Sequence, residues 1–234
     1  MNSRQPELCV ALDGTDRDWI LATAASLTPD VDWLKIGLEA FVAHGPDLVR
    51  ELIGVGSRIF LDLKLHDIPA TVGRAAANVA RCGAQMVTVH AGGGPEMVTA
   101  AVEGVRAGGS GERPLVVAVT VLTSLDSAVL ADLGFALSAS ETVLRWTEMA
   151  SHCGADGIVA SPREVGLVRQ AGHRDLLIVT PGIRPSGHGS DDQRRIATPA
   201  EAVALGADLL VVGRPITRAA SPAAAARRIL AEIR

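Results

Sequence analysis

Eight short runs rich in Val, Ile and Leu recur along the chain, and stretches with helical spacing lie between them. The runs are Leu8–Asp13, Trp33–Gly37, Arg58–Lys64, Met86–Ala91, Leu115–Leu122, Gly157–Ser161, Leu177–Ile183 and Leu209–Gly213. Several are apolar almost throughout, as parallel strands covered on both faces must be. The intervening segments place apolar residues three and four apart, for example Val72, Ala75, Ala76, Val79 and Ala80. Ser161-Pro162, Thr198-Pro199 and Ser221-Pro222 are helix starts. In each, a hydroxyl caps the first turn and a proline follows where a missing N–H costs nothing. Eight strand-then-helix units in 234 residues predict an α/β fold, a closed (β/α)8 or TIM barrel. A doubly wound open sheet usually has fewer strands and a point where their order reverses. No short-period repeat suggests a solenoid. Nothing between Leu8 and Arg234 has the composition of a linker, so residues 1–234 are expected to form one domain.

No apolar run approaches the roughly 20 residues that a membrane helix needs, and Met1 to Glu7 carries no signal-type apolar stretch. A cytoplasmic protein with no membrane partner is expected. The net charge of −4, with Gln193-Arg194-Arg195 locally basic but no long run of Lys and Arg, argues against nucleic acid as a partner. Cys9, Cys82 and Cys153 are widely separated and form no Cys-x-x-Cys pair, which fits reduced, packed thiols. Of 22 Lys plus Arg, only Lys35 and Lys64 are lysines. Arginine does not readily release its proton and lysine does, so two lysines kept against that bias mark themselves for chemistry.

Barrel active sites lie at the C-terminal ends of the strands. Asp13, Lys35, Asp62, Lys64, Thr123 and Arg214 fall there, and both lysines are among them. Within Asp62-Leu63-Lys64-Leu65-His66-Asp67, the two-residue period of a strand turns Asp62 and Lys64 to one face. Carboxylates favour the charged form of a neighbouring ammonium, whereas a Schiff-base lysine needs an apolar or cationic setting. Lys64 therefore reads as a proton donor; the bland alternative is a structural ion-pair cluster at the rim. Gly213-Arg214-Pro215 after the eighth strand suits phosphate, with a glycine for close approach and a guanidinium for paired contacts. The long polar segment from Arg184 to Thr198 is a candidate lid. Gly92-Gly93-Gly94 fits a plain turn at least as well as a ligand contact. His66 and His90 are expected to be structural, and the six histidines lack metal-ligand spacing. No Walker-type loop, dinucleotide fingerprint or Gly-x-Ser-x-Gly elbow is present.

Six segments together resemble the orotidine 5′-phosphate decarboxylase family, in its shorter bacterial form, over nearly the whole chain. They are Ala11-Leu12-Asp13, Leu34-Lys35-Ile36-Gly37, Asp62 through Pro69, Val121-Leu122-Thr123-Ser124, Thr180 through Pro185, and Val212-Gly213-Arg214-Pro215. The resemblance implies decarboxylation of orotidine 5′-monophosphate to uridine 5′-monophosphate, with no metal and no cofactor. It implies that Lys64 protonates carbon 6, that Asp62 faces the substrate carboxylate, and that Lys35 completes a charged network with Lys64 and Asp67. It further implies a homodimer in which Asp67, Ile68 and Thr71 reach the neighbouring subunit's site. Asp13 and Lys35 would contact the ribose and Thr123 the pyrimidine. Gln193, Gly213 and Arg214 would hold the phosphate, with Arg184 in the closing loop. Ala70 stands where the family often has asparagine. The Asp-x-Lys-x-x-Asp element is shared with Mg²⁺-dependent sugar-phosphate decarboxylases and aldolases, which form the rival reading. A non-catalytic nucleotide-binding barrel is a third.

Overall fold

The computed structural model describes residues 5–109, 111–185 and 196–234. Its strands are β1 (Glu7–Leu12), β2 (Trp33–Gly37), β3 (Arg58–Leu65), β4 (Met86–His90), β5 (Leu115–Val119), β6 (Gly157–Val159), β7 (Leu177–Thr180) and β8 (Leu209–Val212). They pair in parallel in sequence order, and β8 returns to β1 to close the sheet, giving the expected (β/α)8 barrel. The helices are α1 (Arg17–Leu27), α2 (Leu38–Gly54), α3 (Pro69–Cys82), α4 (Gly94–Ala107) and α5 (Ser127–Asp132). After them come α6 (Ala139–His152), α7 (Pro162–Gln170), α8 (Pro199–Ala204), α9 (Arg214–Thr217) and α10 (Pro222–Ile233). None among the described residues is long and apolar enough to cross a bilayer. The hydroxyls of Ser161, Thr198 and Ser221 cap α7, α8 and α10 as their sequences require.

Strand alternation sorts the apolar side chains into two cores. Leu8, Val10 and Leu12 of β1 point out to the helices, with Leu34, Ile36, Ile59 and Leu61 of the next two strands. Cys9, Ala11, Trp33, Phe60, Val179 and Val211 belong to the second, inner cluster that fills the barrel. Followed toward the C-terminal mouth, three of the inner series end in charged side chains: Cys9 and Ala11 lead to Asp13, Trp33 to Lys35, and Phe60 to Asp62, while Val211 leads to Gly213. At β5 and β7 the predicted runs outlast the paired strands at this end by three residues. There the chain leaves the ladder to line the mouth.

Helices α3 and α4 approach at backbone distance. A Cβ placed on Gly104 would lie 2.2 Å from the carbonyl oxygen of Gly73, and one on Gly108 would lie 2.4 Å from that of Ala77. This contact also buries Ala77, which the barrel-facing spacing of α3 had left out. Gly104→Ala must separate the two helices and should lower stability by about 1–3 kcal/mol, measured as the shift in the urea unfolding free energy. An unchanged unfolding curve would show that the contact yields without cost.

Candidate active site

The C-terminal mouth of the barrel opens on a cavity of about 740 Å³. Phe60, Val119, Val159, Val179 and Val211, with Ala11, supply its apolar floor, and Asp13, Lys35, Asp62, Lys64, Thr123, Arg184, Gly213 and Arg214 also line it. Eight of the expected site residues thus come together from six strands or the loops that follow them. Asp67, Ile68 and Thr71 do not line this cavity. Asp67 and Ile68 lie exposed at the turn into α3, where the Ile68 N–H donates to Asp67 Oδ1 at 2.6 Å. Gln193 lies outside the described residues.

The charged groups form a chain. Lys35 Nζ donates to Asp13 Oδ1 at 3.2 Å and stands 3.6 Å from Asp62 Oδ2, while Lys64 Nζ donates to Asp62 Oδ1 at 2.8 Å. Two cations and two anions balance. Lys35 is only 8% exposed, and that burial works against its charge. Asp62 and Asp13 more than offset the penalty and hold its ammonium above the ordinary lysine value. Burial likewise works against the Asp62 carboxylate, but Lys35, Lys64 and a hydrogen bond from Thr88 keep its pKa below the ordinary one. Cys9 lies beneath this layer, fully buried, and burial pushes its thiol far up; it packs and does not line the cavity.

Asp62 and Lys64 do meet, although regular alternation is not the reason. Between the pairs Leu61–Val87 and Leu65–Val89 the register slips, so three residues of β3 stand opposite the single residue Thr88 of β4. Lys64 is the one described residue other than glycine with positive φ, at 49°. Such a left-handed backbone costs an ordinary residue about 1–2 kcal/mol. Strain of this kind gathers at working sites.

Thr88 and Gly37, both beside these charged groups, did not stand out in the sequence as site residues. Thr88, fully buried, donates its hydroxyl to Asp62 Oδ1 at 3.0 Å and accepts the Lys64 N–H at 2.8 Å. Gly37 leaves a space that matters: a Cβ there would sit 2.9 Å from Lys35 Nζ and 3.3 Å from Asp13 Oδ1. Its signal in the sequence was its place two residues beyond Lys35 on an inward-facing series. Among the described residues, no group of three or more His, Cys, Asp or Glu side chains is arranged to hold a metal ion.

Beside the cavity, His66 and His90 stack with ring centroids 5.0 Å apart, and Trp146 meets His90 edge-on. The glycine run beyond β4 is a turn, as its composition suggested: a 3₁₀ turn at Ala91–Gly93 leads into α4. Its Gly92 N–H donates to His90 Nδ1 at 3.1 Å, so His90 must keep that nitrogen unprotonated. Burial, then the proximity of His66 and Lys64, lowers its pKa to about 4. An unfolded histidine titrates near 6.5, so the unfolded chain takes up this proton first. The contribution of His90 to stability is therefore full above about pH 6.5 and declines as pH falls toward about 4. In His90→Asn, whose amide oxygen still accepts from Gly92, the urea midpoint should fall less between about pH 7 and pH 5 than in the wild type. Equal falls would remove His90 from the acid response.

Residues 6–229 match the sequence model of a family described as orotidine 5′-phosphate decarboxylase / HUMPS family. An orotidine 5′-phosphate decarboxylase of Anaeromyxobacter sp. (strain K) is 51% identical over 224 residues, covering 96% of each chain. One from Chromobacterium violaceum is 48% identical over 224 residues, covering 96% of this chain and 90% of the relative. Among solved structures, orotidine 5′-phosphate decarboxylase from Lactobacillus acidophilus superimposes with a TM-score of 0.88 at 40% identity, over 98% of this chain and 99% of that one. The enzyme from Pyrococcus horikoshii OT3 gives 0.78 at 28% identity, over 97% and 98%.

Proposed function

The chain belongs to the orotidine 5′-phosphate decarboxylase / HUMPS family, and we propose that it converts orotidine 5′-monophosphate to uridine 5′-monophosphate and carbon dioxide in pyrimidine biosynthesis. The observation that carries this reading is the Lys64 ammonium, held 2.8 Å from Asp62 over an apolar floor, in a chain about half identical to named decarboxylases across nearly its full length. Loss of carbon dioxide leaves an electron pair on carbon 6. A fixed ammonium stabilises that charge as it develops, because a preorganised cation in a site with an apolar floor needs no reorganisation. Lys64 then gives its proton to carbon 6 and recovers one from solvent. Asp62 lies beside the departing carboxylate, where like charges repel most before the bond breaks. The chemistry draws on no cofactor or metal.

Binding is assigned in the same terms. Arg214 and Gly213, with Gln193, take the phosphate; Asp13 and Lys35 take the ribose; Thr123 takes the pyrimidine; Arg184 belongs to the closing loop. Phosphate contacts remote from carbon 6 supply binding energy that can be spent at the reacting centre. Each chain is one catalytic domain working in the cytoplasm as half of a homodimer, without nucleic-acid or membrane partners. Asp67, Ile68 and Thr71 reach the partner's site, a role supported by their exclusion from their own cavity and by the 66% exposure of Ile68.

Purified protein given orotidine 5′-monophosphate in the presence of a chelator should show the ultraviolet change of conversion to uridine 5′-monophosphate. Lys64→Ala should abolish it while keeping the fold. Loss of wild-type activity on chelation would favour the Mg²⁺-dependent sugar-phosphate rival. Binding of uridine 5′-monophosphate without turnover of orotidine 5′-monophosphate would favour a non-catalytic barrel. Mixing Asp67→Ala with Lys64→Ala subunits tests the shared site separately. Random reassortment should restore about a quarter of the wild-type sites, since half the dimers carry one intact site. Verified mixed dimers with no activity would place Asp67 in its own subunit's function.

A further inference from the structure

The β3–β4 seam carries more than its pairing requires. Where the ladder slips, the Lys64 N–H has lost its regular strand partner, and the Thr88 hydroxyl receives it at 2.8 Å. The same hydroxyl has one proton to give, and gives it to Asp62 Oδ1 at 3.0 Å. Asp62 Oδ1 thus takes two donors, Lys64 Nζ and Thr88 Oγ1, while Oδ2 faces Lys35. With two hydrogen-bond donors on one oxygen and the Lys35 ammonium beside the other, the carboxylate has little freedom to rotate. One fully buried side chain therefore grips the backbone of the proton donor and the carboxylate next to it.

We propose that Thr88 is a positioning residue for the decarboxylation: its hydroxyl, not its bulk, keeps Lys64 in its left-handed backbone conformation and Asp62 in the orientation that serves carbon 6. The proposal rests on the decarboxylase reading of the same cavity. Thr88 is placed to act through Asp62 and Lys64, with no contact to the reacting atoms assigned to it. Its loss should then fall on the chemical step and spare the phosphate contacts that hold the substrate.

The experiment compares Thr88→Val, which keeps the shape and deletes the hydroxyl, with Thr88→Ser, which keeps the hydroxyl. Thr88→Val should lower kcat about 30-fold or more with KM within about threefold of wild type, and Thr88→Ser should stay within about threefold in both. Without the Thr88 hydrogen bond the Asp62 carboxylate is less well stabilised, so the acid limb of the Thr88→Val profile should move to higher pH. Equal losses in both variants, a loss confined to KM, or an unmoved acid limb would overturn the proposal. If Thr88→Val does not fold, Thr88→Ala makes the same comparison. A ¹³C NMR titration of the Asp62 carboxyl separates this idea from the function it rests on. An upward shift in Thr88→Val but not in Thr88→Ser is expected even if wild-type protein leaves orotidine 5′-monophosphate untouched. No difference between the variants would count against Thr88 alone.

Discussion

A buried ammonium is tolerable only beside counter-charge, and Lys35 imposes that condition on the whole mouth of the barrel. Its desolvation is offset by Asp62 on one side and Asp13 on the other. Those three side chains come from β3, β2 and the end of β1, so the charge balance holds only if the three strands stay in register. The register in turn depends on the alternation that sends Leu34 and Ile36 outward and Trp33 and Lys35 inward. A one-residue slip would drive Lys35 into the apolar layer beneath the helices. Electrostatics and strand pairing are thus two expressions of one constraint.

The order of the inner side chains extends this argument to the chemistry. Apolar residues fill the lower layers and exclude water from beneath the ammonium groups, so charges at the mouth act through a medium less screening than bulk solvent. Lys64 sits above this floor, and Asp62 is its anchor. The irregular step in β3 is confined to the place where the strand must present two charged side chains to one space. Elsewhere the pairings given for the barrel run without such a step. Irregularity is spent at the site, and regularity holds it up.

Much of this was legible in the sequence. The apolar strand runs gave the barrel because parallel strands are buried on both faces, and Lys35 and Lys64 stood out because arginine fills every other cationic position. Thr88 was not legible for a physical reason. In Met86-Val87-Thr88-Val89 a threonine is what any strand tolerates, and its function arises from a slip in register that involves a different strand. Gly37 was hidden likewise, since the need for an empty space beside it depends on where the Lys35 side chain ends. Asp67 was singled out by its motif, but the spacing alone could not say that it would lie outside the lining of its own cavity.

The glycine-lined contact between α3 and α4 bears on how the molecule meets others. Helix α3 begins at Pro69, directly after the exposed Asp67–Ile68 corner, and Asp67 already accepts a hydrogen bond from the next residue. A helix clamped backbone to backbone against its neighbour offers its leading corner as a stiff mount. Groups carried on such a mount have little conformational entropy left to lose when a second surface closes over them. Association at that corner can draw on contact energy without first spending it to order a loop.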